Sequence, residues 1–228
     1  MNTLNASERF ITVQEAIVRK GKFIVTEGIN GSGPQVKAGI VALHKALTDL
    51  GHNVVECSNP DSGRVQELGI TTVINWPFGE DSRADFFFEG AVRTEIFEKV
   101  VRPALEEDKI VLCKQSSISS LANAWEKGTT IHLDVLRHLD KISRGFLFGD
   151  EVFPDLTIFF DVPAEEACER IEDILQIHHE GGIEYYEKKR DFYLRELPRW
   201  NGKKVDASAG RPQDEINAEV LALVKAIL

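Results

Sequence analysis

Four short runs of this chain are apolar almost from end to end: 22–26 (KFIVT), 52–57 (HNVVEC), 109–113 (KIVLC) and 156–162 (LTIFFDV). A fifth, shorter run follows at 203–206 (KKVD). A strand with one wet face alternates apolar and polar residues, whereas a strand covered on both faces does not. Helical periodicity fills the intervals. Val36, Ile40, Leu43, Leu47 and Leu50 form one stripe, closed by Gly51. Further helices are expected over 85–105, from 116, and over 133–147, 163–177, 183–197 and 214–228, while 58–84 reads as irregular. Strands alternating with helices specify an α/β three-layer sandwich around a parallel sheet. In such sheets ligands bind beyond the strand C-termini. The loops that start near Glu27, Ser58, Lys114 and Asp206 are therefore the places to look.

The chain has 228 residues, 43% of them hydrophobic, enough for one core domain over 22–228. Residues 5–20 predict an additional amphipathic helix, with Asn5 and Glu8 spaced as a capping box and Phe10, Val13 and Ile17 on one face. Gly21 ends it, so 1–21 reads as an element apart. A formal net charge of −10 with no basic run argues against nucleic-acid and anionic-membrane partners. The polar beginning, and the lack of any apolar stretch of about 18 residues, lead to a cytoplasmic expectation. Cys57, Cys113 and Cys168 are far apart and read as reduced core residues. His178 and His179 are adjacent, which on a helix points them apart, and no metal site is expected.

The loop after the first run is the main chemical signal. VTEGINGSGPQVK, residues 25–37, opens as a phosphate-binding loop does, with a strand, a glycine turn and then a helix. Gly28, Gly31 and Gly33 allow backbone N–H groups to converge, and a helix N-terminus adds its dipole. The fragment alone is equally compatible with a plain tight turn. GxxxxGK(S/T) would place Lys and Ser/Thr where this chain has Pro34 and Gln35.

Five pieces in order resemble the thymidylate kinase family, which moves a phosphoryl group from ATP to dTMP. FIVTEGINGSG resembles the family's strand followed by EGxDGxGKST. RPALEEDKIVLC resembles the stretch before its DRY motif, and SSLA at 119–122 the segment after it. PDLTIFFDVPAEEACERIE at 154–172 is the closest piece, and VDAS at 205–208 resembles the strand and loop near the ATP base. The resemblance runs from about Lys22 to the C-terminus. It implies a P-loop fold, ATP with Mg²⁺ as the donor, a dTMP-like acceptor and a homodimer joined through helix 85–105.

The resemblance also shows what is missing. Phosphoryl transfer relies on positive charge, a metal ion and alignment rather than on covalent help. The family's loop lysine corresponds to Pro34 and its Mg²⁺-holding hydroxyl to Gln35. Its loop Asp, between the two phosphate groups, corresponds to Asn30, beside Ser32. Its Arg-Glu-Pro segment becomes Ser58-Asn59-Pro60, with Arg64 nearby, and DRY becomes Lys114-Gln115-Ser116. The aromatic residue on the helix that follows is matched by Asn123. Arg93 matches the arginine at the thymine edge, with Phe88 one place from the expected aromatic, although Phe86–Phe88 also read as core. The acceptor set implied is thus Arg93, Phe88, Asn59 and Gln115, and the ATP-base set Asp206 and Ser208. The lid segment has no arginine between Arg170 and Arg190, and Lys188, Lys189 and Arg190 read as a solvated helix face.

Two lysines are candidate surrogates. Lys37 lies three residues beyond Pro34, and helical side chains lean toward the N-terminus. Lys114 stands at the family's metal-binding carboxylate. They serve as replacement cations or as ordinary surface lysines. Three functions follow: a catalytically degraded relative that keeps nucleotide or anion binding, a working nucleoside monophosphate kinase with a rearranged site, or a non-binding interaction module. Loss of one transition-state cation commonly lowers a rate about 100- to 1000-fold, which favours the first.

Overall fold

The computed structural model describes residues 20–58, 83–126, 133–146, 151–175 and 182–228. Residues 1–19, which carry nearly all of the expected N-terminal helix, lie outside that set, as do Asn59, Arg64 and the His178-His179 pair.

The elements run β1 (Lys22–Glu27), α1 (Gly33–Asp49), β2 (Val54–Ser58), α2 (Arg83–Ile96), a π-helical segment (Phe97–Val101), α3 (Arg102–Glu106), β3 (Ile110–Lys114), α4 (Ser117–Glu126), α5 (Leu133–Ser143), β4 (Leu156–Asp161), α6 (Ala164–Leu175), α7 (Gly182–Glu196), a 3₁₀ turn (Leu197–Trp200), β5 (Gly202–Asp206) and α8 (Gln213–Lys225). The five strands make one sheet in the order β2-β3-β1-β4-β5. Every pairing is parallel, with Lys22 opposite Ile110, Ile24 opposite Leu156 and Cys57 opposite Cys113. The five expected strands are present, shifted by a residue or two at their ends.

Strand pleating explains the two layers. Ile24, Ile110 and Leu112 join α1, α8 and the α4–α7 helices in one core. Their alternating neighbours Phe23, Val25, Val111 and Cys113 face the other way, onto α2, the π-helical segment and α3. Both faces are covered, as the unbroken apolar runs require. Gly39 of α1 faces the Phe160 ring, where an added Cβ would come within 2.6 Å, so helix and sheet pack closely there.

The helix expected over 85–105 is present and unbroken, but Phe97–Val101 within it are π-helical. Pro103 has no N–H and crowds the preceding turn. The chain widens just before it, and Arg102 N–H reaches back five residues to Phe97 O. Among the described residues no helix is long and apolar enough to cross a membrane.

Candidate functional site

β1 ends in Glu27, and the chain turns through Gly28–Ser32 into α1. Ser32 shapes this turn. Its hydroxyl donates to Ile29 O at 2.6 Å and its N–H to the same oxygen at 3.0 Å, and the residue is buried. The serine is therefore a brace, not a free ligand. Gly31 has φ +90, and a Cβ there would come within 2.5 Å of Ala167 O on α6. Glycine is required at 31 both by conformation and by this close approach. Pro34 sits in the first turn of α1, as helix geometry favours. The N–H groups of Gly31, Gly33 and Gln35 have no acceptor among the described residues. The last two are orphan donors of a helix start, Gly31 adds one from the loop, and together they suit an anion.

The turn after β3 lies beside this loop. Gln115 adopts φ +62, unusual for a residue with a side chain. Its N–H donates to Thr26 O at 2.8 Å, and the Cys113 thiol donates to its carbonyl at 3.1 Å. Hydrogen bonding with Cys57 and burial push the Cys113 thiol well above its ordinary range. All three cysteines are free and buried, as expected.

Together the two turns enclose a cavity of about 240 Å³, lined by Gly28–Gly33, Val36, Lys114, Gln115 and Ile171. The expected loop and the Lys114-Gln115 pair are thus brought together. The Lys114 ammonium has no partner among the described residues. Lys37 is exposed and does not line the cavity; the turn of helix that should have carried it back leaves it outside.

Two cations that the sequence reading passed over reach the loop from other helices. Arg170 of α6 donates to Gly31 O at 3.2 Å and to Gln35 Oε1 at 2.9 Å, and to Glu166 Oε2 at 3.0 Å. Glu166 Oε2 also accepts the Ala209 N–H at 2.7 Å, tying in the loop after β5. Asp206, at the end of β5, and Ser208, in that loop, both lie outside the cavity. Ser208 N–H donates to Asp206 Oδ1 at 3.0 Å, and hydrogen bonding from Ser208 lowers the Asp206 pKa.

Lys189 of α7 is the second. Its ammonium donates to Asn30 Oδ1 at 3.2 Å, Asn123 Oδ1 at 3.0 Å and Tyr185 OH at 3.3 Å. The reading of Lys188–Arg190 as a solvated face is therefore corrected. Lys188 is open to solvent, but Lys189 is only 4% exposed, and Arg190 pairs with Asp161 at 2.5 Å. A signal was available: Tyr186, Lys189, Tyr193 and Glu196 fall at steps of three and four and are all buried. One face of α7 is core, and Lys189 belongs to it.

Under the loop, Glu27 is fully buried. Ser116 N–H donates to its Oε1 at 3.0 Å and the Ser119 hydroxyl to its Oε2. Desolvation outweighs these bonds and pushes its pKa up to about 7. Arg93 is close enough for its charge to pull that value down. Its guanidinium is buried and donates to Asp140 Oδ1 at 2.5 Å and to Ser120 Oγ, within a network that continues through Arg144 to Glu151. Arg93, on α2, therefore faces α4 and α5 and does not line the cavity. The Phe88 side chain and Asn59 fall outside what the structure describes. Among the described residues, no three His, Cys, Asp or Glu side chains converge as a metal site.

Comparison with known proteins bears on the family and the fold. The thymidylate kinase family model matches residues 26–220. A thymidylate kinase of Pelotomaculum thermopropionicum is 31% identical over 215 residues, covering 92% of this chain and 95% of that protein. One of Geobacillus sp. (strain WCH70) is 29% identical over 213 residues, covering 90% of this chain and 96% of that one. The crystal structure of thymidylate kinase from Ehrlichia chaffeensis superposes with a TM-score of 0.66 at 22% identity, covering 90% of this chain and 98% of that chain.

Proposed function

Because the chain belongs to the thymidylate kinase family, we propose that it binds nucleotide phosphates at the glycine loop, with phosphoryl transfer greatly reduced. The observation that carries this reading is the cavity itself. It joins the loop amides to Lys114 and Gln115. Meanwhile the residue at the family's loop-lysine position is Pro34, and the amide of Gln35 is held by Arg170. The cradle is intact while its usual catalytic side chains are absent.

ATP with Mg²⁺ is the donor the family implies. The orphan amides and nearby cations suit its phosphates. The donor set does not suit a protein-held Mg²⁺. Gln35 Oε1 is engaged, an ammonium stands at 114, and both Glu27 oxygens accept hydrogen bonds in a buried site. The acceptor side, with Gln115 at its rim and Arg93 below, is assigned to a nucleoside monophosphate. A homodimer through α2 is proposed on its exposed Phe87 and the neighbouring Ile142 and Phe146 of the α5 end.

The test combines binding with turnover. A ligand at about 100 times its Kd adds roughly 2.7 kcal/mol, which raises Tm by about 5–10 °C in a chain of this size. ATP or dTMP should give such a shift, with a kcat at least about 100-fold below the 1–100 s⁻¹ usual for kinases. No shift with either ligand would instead fit an interaction module. A normal kcat would favour a working enzyme with a rearranged site. Arg170 and Lys189 support that second reading, because they return positive charge to the loop.

A further inference from the structure

We propose that Lys189 is the phosphate-contacting cation of this site, delivered by α7 in place of the loop lysine. The inference rests on the phosphate-binding reading above and adds a named residue and ligand class to it. Three observations carry it. First, the ammonium is 3.2 Å from the side chain of Asn30, which lines the cavity between the loop and Lys114. Second, the side chain is fixed. It is 4% exposed, lies 5.4 Å from the Tyr185 ring centroid, and occupies the buried stripe of Tyr186, Tyr193 and Glu196. Third, its partners include three neutral oxygens, namely Asn30 Oδ1, Asn123 Oδ1 and Tyr185 OH. A phosphate oxygen is a stronger acceptor for an ammonium than an amide or a phenol.

The exchange is chemically simple. Asn30 is exposed at the loop tip, so its side chain can yield its place on the ammonium to a phosphate oxygen. Asn123 and Tyr185 keep the other two N–H bonds and the aim of the side chain. No bond is made or broken beyond these hydrogen bonds. The loop lysine of a P-loop reaches the phosphates from the loop's own helix. Here the charge arrives from α7, and Asn30 and Asn123 both serve as its ligands. The exposed Lys37 has no such placement.

Isothermal titration of the full chain with ATP, dTMP, adenosine and thymidine tests this, using wild type, Lys189→Met and Lys189→Arg. The expected result is a loss of about 10- to 100-fold for a phosphate-bearing ligand in Lys189→Met, partial recovery in Lys189→Arg, and unchanged binding of the bare nucleosides. The nucleotide that loses affinity shows whether the donor or the acceptor phosphate is held. In wild type, without any substitution, the ¹⁵N shift of Lys189 Nζ should move on adding that nucleotide and stay still with its nucleoside. This second measurement stands even where Lys189→Met fails to fold. Wild-type affinity in Lys189→Met, or an unmoved Nζ at nucleotide saturation, overturns the Lys189 assignment alone. No binding of either nucleotide by the wild type overturns the functional reading and this inference with it.

Discussion

Glu27→Gln should change how stability depends on pH, in a calculable direction. Glu27 is fully buried, and desolvation raises its pKa from 4.5 to about 7. The folded state therefore holds its proton to higher pH than the unfolded state does. Between pH 4.5 and 7 the native chain binds more protons, so stability falls as pH rises, by up to about 1.4 kcal/mol per pH unit. Below 4.5 both states are protonated and nothing is lost. Above 7 both are ionised, and the full loss of about 3 kcal/mol is in place. The Glu27→Gln chain has no titratable group there, and all other ionisations are shared. The assay is urea denaturation of both chains from pH 4 to 8.5, with the two ΔG curves subtracted. Wild type should lose about 3 kcal/mol relative to the variant across that window. A difference curve flat to within about 0.5 kcal/mol, or one rising with pH, would show that the carboxyl is not held neutral by burial.

Gly31→Ala meets both a φ of +90 and the Ala167 backbone at 2.5 Å, so it should cost about 1–3 kcal/mol and abolish the nucleotide-induced Tm shift. Arg93→Met breaks a buried ion pair with Asp140, and urea titration should show a loss of about 3 kcal/mol or more. Lys114→Ala should weaken ATP about tenfold by calorimetry, losing one charged contact, whereas Lys37→Ala should change affinity less than twofold.

The parallel sheet was legible because strand burial and helix period are local signals. So were the loop and its neighbour after β3, since both follow from strand ends in a parallel sheet. The irregularity before Pro103 was half legible: the proline marks the place, but not the π-helical turn that accommodates it. Arg170 and Lys189 were not assigned to the loop, because Gly31 and Asn30 lie 139 and 159 positions away. Lys189 was further hidden inside EKKR, which reads as a wet surface. Only the spacing of Tyr186, Tyr193 and Glu196 around it distinguishes one lysine from its neighbours. Arg93 was assigned by likeness to a ligand edge, and nothing local announces Asp140 as its partner.

The hydrogen-bonded line from Ala209 through Glu166 and Arg170 to Gln35 has one further consequence. It braces the glycine loop from outside the cleft as a single strut, set when the chain folds rather than when a guest arrives. The ordering entropy of the braced loop is thus absorbed in folding, and an incoming molecule meets a half-finished mould. Cutting the strut at Glu166 should loosen both of its ends at once, although one lies in the loop after β5 and the other in the first turn of α1.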